Sequence, residues 1–266
     1  MNKESSAWIS VADLERGFAP STYALDHSAD LRRKHVTLYN AEGSTQALVF
    51  GNSDVTLDDV LKKEVRITSM RQGIYLVDWL EESCSISLIL DTLTNSFTRV
   101  IGYIPEFDEI DRGLYQRALA GEPLTDVKIE VTHGGLDQPY RENVCPHERT
   151  RELVGKRKLY RYSPTEVYEH TYLNENYYAW QCLKGGEKGL ADADQCQTYK
   201  IADRLYLFLW EEKIVPTLGL VMIDEVNNRS DGKICGLGEK QGDPVANFAM
   251  ASYCQTLSVT EYPDDL

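Results

Sequence analysis

The chain has 266 residues, 42% hydrophobic and 26% charged, a globular composition that excludes wholesale disorder and allows one large domain or two of ordinary size. Forty-two acidic against 28 basic residues leave a formal charge of −14, which repels phosphate backbones and anionic lipid, so neither nucleic acid nor a membrane is expected as a partner. No run approaches the ~18 apolar residues of a membrane span or the apolar core of a signal peptide. The six cysteines are scattered without a CxxC pair, and a cytoplasmic protein with reduced thiols is expected.

In chain order, residues 1–35 hold a short helical pattern around Val11–Leu14. The stretch Gly17 to Ser21 then reads as a turn leading to a segment that wraps the first structural unit. From His35 the pattern changes to short alternating runs separated by turn residues, at Val36–Tyr39 and Gln46–Phe50, which is the pattern of β-hairpins. Strands are expected at Val65–Met70, Gly73–Glu81, Cys84–Asp91 and Phe97–Ile104, spaced as in an antiparallel meander. The acidic stretch from Pro105 to Gly121 places Ile110, Leu114, Arg117 and Ala118 at helical spacing and reads as a lid or connector. Val127–Val131 reads as one more strand, with Gly134 to Pro139 as loop.

A second series of strands follows at Lys158–Ser163, Val167–Tyr172, Tyr177–Leu183 and Gln197–Ile201, and then at Leu205–Glu212, Leu218–Glu225 and Lys233–Leu237. The tail from Asp243 to Tyr253 reads as mildly helical. Two of these stretches repeat one another: Tyr75, Val77, Trp79 and Glu81 alternate just as Tyr206, Phe208, Trp210 and Glu212 do, each set on one face of its strand. Two copies are too few for a solenoid. The expected fold is therefore all-β, two antiparallel barrels from an internal duplication, with an N-terminal unit over 1–131, a linker over 132–154 and a C-terminal unit over 155–266.

The second unit is dense in tyrosine. Tyr160 and Tyr162 share a face, and so do Tyr168, His170 and Tyr172; Trp180 lies among them, and many hydroxyls are hard to satisfy in a dry core. One reading turns half of them to water; the other lines a ligand cavity with phenols, an imidazole and a carboxylate. In a barrel interior beside Trp210, Glu212 would be desolvated and raised in pKa, which suits a general acid or base. Glu81 beside Trp79 has the same pattern, and which barrel holds a site is left open. His170 reads as a wall residue or an assisting catalyst. Cys145 and His147 with Cys182 and Cys196 do not reproduce a zinc spacing, so no metal is expected. Gly185 to Gly189 lacks the P-loop pattern, and no GxSxG occurs, so neither nucleotide binding nor acyl-enzyme chemistry is supported.

Gly17 to Pro20, Gly73 to Asp78, Tyr178 to Gly185 and Tyr206 to Lys213 with Pro216 resemble the MoaF family, two-domain lipocalin-like (calycin-type) proteins named for an association with molybdenum cofactor biosynthesis. One barrel is distantly similar to phenolic acid decarboxylases, cofactor-free lipocalin-like enzymes that use a tyrosine pair, an arginine and a glutamate. By that resemblance Tyr160 and Tyr162 stand for the tyrosine pair, and Glu212 after Trp210 for the glutamate. Only Lys188 stands near the place of the arginine, a departure that puts decarboxylation in doubt. The resemblance implies a cofactor-independent enzyme with Glu212, Tyr160, Tyr162 and His170 as catalytic candidates. Tyr168, Tyr172, Trp180, Lys188, Tyr206, Phe208, Trp210, Glu81 and Trp79 would bind a small, partly apolar, aromatic or hydroxylated substrate. The rival is a non-catalytic ligand carrier or accessory protein, and a homodimer is left open.

Overall fold

The computed structural model describes residues 7–18, 23–82, 84–110, 113–141 and 147–263. Cys145, and the expected turn from Ala19 to Ser21, lie outside the described residues. After helix α1 (Val11–Phe18), the first series of strands is β1 (His35–Asn40), β2 (Thr45–Phe50), β3 (Asp54–Leu57), β4 (Leu61–Glu64), β5 (Arg66–Arg71), β6 (Ile74–Glu81), β7 (Cys84–Asp91), β8 (Ser96–Tyr103) and β9 (Lys128–Leu136). A 3-10 turn at Phe107–Glu109 and helix α2 (Leu114–Ala120) sit between the last two, in the stretch expected as a connector.

These strands form one antiparallel sheet in the order β4-β3-β2-β1-β9-β8-β7-β6-β5. Its two edge strands, β4 and β5, are separated in the chain only by Val65, whose N–H donates to Ser53 O at 2.9 Å. The sheet thus curls until its first edge continues covalently into its last, which removes the exposed edge a flat sheet would present.

The second series is β10 (Glu148–Arg149), β11 (Lys156–Arg161), β12 (Val167–Tyr172), β13 (Tyr177–Lys184), β14 (Ala191–Ala202), β15 (Leu205–Glu212), β16 (Thr217–Asp224), β17 (Arg229–Gly236) and β18 (Ala246–Val259). Here one long strand does what β4 and β5 do together. The first part of β14, Ala191–Gln195, pairs with β13, and the part from Gln195 to Ala202 pairs with β15, closing a ring from β11 to β18 with β10 outside it on β14. The two barrels have matching strand orders, as the expected duplication requires.

The repeated stretch is where the barrels meet. In β15 the side chains of Tyr206, Phe208 and Trp210 enter their own barrel, while Leu205, Leu207 and Leu209 pack against Ile74, Leu76, Ile89 and Val100 of the first. A strand buried on both faces must be hydrophobic at nearly every position, which is why β6, β15 and β16 read as continuous apolar runs rather than clean alternation. At Gly102 the contact is so close that a Cβ would fall 2.1 Å from Leu218 Cδ2.

Buried charges inside this contact are paired across it. Asp231 accepts from Arg66 Nη2 at 2.6 Å, Thr68 Oγ1 at 2.7 Å and Leu25 N at 3.0 Å. Arg71 grips Asp224 with two hydrogen bonds of 2.9 and 2.7 Å; burial opposes ionisation of Asp224, but Arg71 and Asn227 hold its pKa down at about 2. Lys233 reaches Asp78 and Ser85 of the first barrel, and Asp78 also accepts from Ser87 at 2.8 Å.

Three expectations are corrected. Helix α1, counted with the N-terminal unit, packs instead on the second barrel, with Val11 and Phe18 in its core. The segment after the expected turn does run along the first barrel, where Ser28 N donates to Ile67 O at 2.8 Å and Leu31 enters the core. The expected loop from Gly134 is the end of β9: Gly134 pairs with Asn40 and Phe97, and a Cβ there would lie 2.3 Å from both Tyr39 O and the Phe97 ring, so the glycine marks close approach rather than a turn. The mildly helical tail is strand β18, whose pairing with both β11 and β17 overrides the helix propensity of its alanines. Among the described residues no helix is long and apolar enough to cross a membrane, and Cys84, Cys182, Cys196, Cys235 and Cys254 are free thiols.

Candidate functional site

The first barrel is filled by its own side chains. Leu38, Leu48, Phe50, Val77, Leu88, Leu90 and Phe97 form its core together with Tyr75 and Trp79. Trp79 Nε1 is buried there without a hydrogen-bond partner, and Glu81 turns outward to Lys63 at 2.7 Å. The Trp-x-Glu pattern of this copy therefore builds an ion pair at the rim.

In the second barrel the same pattern points inward. Trp210 Nε1 donates to Glu212 Oε1 at 2.8 Å, and Glu212 lines a small cavity of about 30 Å³. Tyr162, Tyr168, His170, Tyr178, Trp180, Glu187 and Trp210 make up the polar and aromatic wall, and Ile234 and Met250 the apolar one. Helix α1 closes the remaining side with Leu14 and Phe18. Its start is fixed by Ser10, whose Oγ accepts from Asp13 N and donates to Asp13 Oδ2, both at 3.1 Å. Phe18 then sits 5.2 Å from the Tyr162 ring and 5.9 Å from Phe248, while Trp8 meets Trp180 edge-on at 5.6 Å.

The electrostatics are those of a site short of positive charge. Burial pushes the Glu212 carboxyl well above its ordinary range, and the neighbouring charges of Asp194 and Glu187 add to the effect. Burial likewise raises Glu187, against the hydrogen bond it accepts from Tyr168 OH at 3.0 Å. His170 is 5% exposed; burial alone lowers its pKa to about 3, so it is a neutral imidazole, and its Nδ1 has no partner. The Tyr162 and Tyr178 phenols are held protonated by burial first, with the nearby Glu212 opposing their ionisation further.

Of the residues singled out from sequence, Tyr162, Tyr168, His170, Trp180, Trp210 and Glu212 come together around the cavity. Tyr160 and Tyr172 lie beneath it, hydroxyl to hydroxyl at 2.6 Å, and Phe208 stacks under Trp210 at 5.4 Å. Tyr206 is inside the barrel but six residues, or ~20 Å, down the same strand, where its hydroxyl donates to Glu152 at 2.7 Å. Lys188 is exposed and does not line the cavity. Its loop contributes the buried Glu187 instead, because the turn at Gly185, with φ of +136°, packs so tightly on Glu166 that a Cβ would meet its Oε2 at 1.8 Å.

Sequence reasoning missed Glu187, Tyr178 and the α1 side chains as site residues. Tyr178 carried a usable signal, since it shares the strand parity of Trp180. Among the described residues no group of three or more His, Cys, Asp or Glu is placed to hold a metal ion.

Two family models match the chain, the MoaF N-terminal domain over residues 6–106 and the MoaF C-terminal domain over residues 147–260. The protein called Protein MoaF from Klebsiella aerogenes is 37% identical over 264 residues, covering 97% of this chain and 98% of that relative. A crystal structure from Burkholderia vietnamiensis described as a beta-lactamase aligns at 13% identity and a TM-score of 0.35, covering 41% of this chain and all of that one. That likeness is too slight to bear on function.

Proposed function

The chain belongs to the MoaF family, and from that premise we propose that its second barrel is a cofactor-independent acid/base site for a small, partly apolar molecule. The observation that supports this most is Glu212, a half-buried carboxyl group that lines the cavity and whose pKa burial raises well above the ordinary carboxylate range. Trp210 occupies Oε1, which leaves Oε2 to carry the proton. An acid of this kind donates a proton to a ligand atom and recovers it from the product.

Tyr162 and Tyr178 would orient a hydroxyl or ring heteroatom beside Glu212, while the apolar wall and α1 exclude water. Among the described residues the cavity wall contains no Lys or Arg, so it offers no counterpart to the arginine of the decarboxylases. Isomerisation, cyclisation or elimination through one transferred proton fits better than decarboxylation.

The test compares wild type with Glu212→Gln, each incubated with small-molecule extract of the host and followed by native mass spectrometry. Consumption of a bound metabolite by wild type, reduced by about 10²-fold or more in the variant, is the expected result. Release of the same ligand unaltered from both would make the protein a carrier and sink the acid/base reading.

A further inference from the structure

The reading of the cavity as a ligand site leaves its occupant undefined, and the wall chemistry narrows it. Two carboxyl groups, Glu187 and Glu212, face the cavity, and among the described residues no Lys or Arg side chain does. Lys213, which follows Glu212 in the chain, is already bound between Asp192 at 2.6 Å and Asp194 at 3.1 Å. Asp194 is itself buried and accepts from Trp180 Nε1 at 2.9 Å, so the charge surrounding the mouth is negative as well.

The rest of the polar wall is aromatic. Tyr162, Tyr168, Tyr178, Trp180 and Trp210 all line the same space, and the negative face of an aromatic ring attracts a cation at up to ~6 Å, most strongly when both are desolvated. An independent feature points the same way. His170 lines the cavity, is 5% exposed, and its Nδ1 is an orphaned buried atom with no protein partner. A buried polar atom left unmade is costly, and with the ring proton on Nε2 this nitrogen can only accept. In that tautomer a ligand N–H would satisfy it.

We propose that this cavity takes a small organic amine as its ammonium form, an apolar or aromatic skeleton bearing one cationic nitrogen held between Glu187 and Glu212 and donating to His170 Nδ1. The proton balance is simple. A neutral amine takes the proton of Glu212 and becomes the ammonium of an ion pair; an amine arriving as the ammonium leaves that proton to be released to water. Both routes end in the same complex. A carboxylate ligand would meet two acids and no cation, and an alcohol would forgo the charge-assisted bonds. This inference rests on the ligand-site reading above and names the substrate class for it.

Calorimetry of the full chain with benzylamine, benzyl alcohol and benzoate tests the inference, since the three probes share a skeleton and differ in charge. Benzylamine should bind at least tenfold more tightly than benzyl alcohol, and benzoate most weakly. In Glu187→Gln and Glu212→Gln the preference for amine over alcohol should fall to threefold or less, with alcohol affinity little changed. Binding of the alcohol or benzoate equal to or tighter than the amine overturns the cation inference and leaves the ligand cavity standing. Failure of all three probes to bind, in wild type and in Phe18→Ala, whose cavity is less obstructed, overturns both.

Discussion

Glu212 and His170 line the same cavity, and burial shifts their titrations in opposite directions. The ordinary carboxylate value is 4.5 and burial raises Glu212 well above it, so with rising pH the unfolded chain releases a proton that the folded barrel keeps. Stability therefore declines as pH climbs from about 4.5 toward the raised value. His170 runs the other way: between its ordinary 6.5 and its folded value of about 3, the unfolded chain takes up a proton the barrel refuses, and stability declines as pH falls. Urea midpoints taken from pH 4 to 9 should show Glu212→Gln flattening the alkaline slope and His170→Phe the acid slope, each by no more than about 1.4 kcal/mol per pH unit. A variant with the slope of wild type would mean that its group titrates as it does in water. At this scale strand parity in the sequence put Trp210 and Glu212 on one face and left open whether that face was the interior. It could not assign height, because a period of two fixes the face and not the depth, so Tyr206 was grouped with a site that lies six residues away.

Among the elements, α1 carries the most consequence for its length. Phe18, 2% exposed and packed on Tyr162, Tyr168 and Phe248, is the main apolar contact by which eight residues cover the cavity. Phe18→Ala should cost about 3–5 kcal/mol in urea unfolding and speed ligand entry in stopped-flow mixing. A cost below about 1 kcal/mol would show that the helix is not seated in solution. Strand β9 makes a second case, since Gly134→Ala drives a methyl into Tyr39 O and the Phe97 ring and should cost about 1–3 kcal/mol by the same measurement. Neither element was fully legible. The amphipathic pattern of α1 announced a helix, but its destination depends on a surface assembled from distant strands, and Gly134-Gly135 has the composition of a loop although its hydrogen bonds are those of a sheet.

As a whole, the molecule is two barrels sharing a wall. The duplication was legible in the repeated alternation of Tyr75, Val77, Trp79 and Glu81 with Tyr206, Phe208, Trp210 and Glu212; the shared wall and the charges threaded through it were not, because each partner lies in the other half of the sequence. Lys233 is 2% exposed and its counter-charge is Asp78 of the first barrel. Asp78→Ala should cost about 3–5 kcal/mol, since it leaves a buried ammonium without its counter-charge, and Asp78→Leu combined with Lys233→Met should recover most of it. Because the wall belongs to both cores, chemical denaturation should give one transition reported identically by tryptophan fluorescence and circular dichroism. Two resolved transitions would show that the barrels are energetically independent.

The seating of α1 against β17 and β18 also sets an order of events during translation. Residues 8–18 leave the ribosome well before the last strand of the barrel they close, separated from it by most of the chain and, at ~5–20 residues per second, by something on the order of tens of seconds. Through that interval the helix has no dock and the first barrel matures beside it. The cavity is therefore completed last, by the earliest of the elements to be made, and a nascent chain halted before Ala246–Val259 carries the tyrosines and Glu212 without a closed place to hold a ligand.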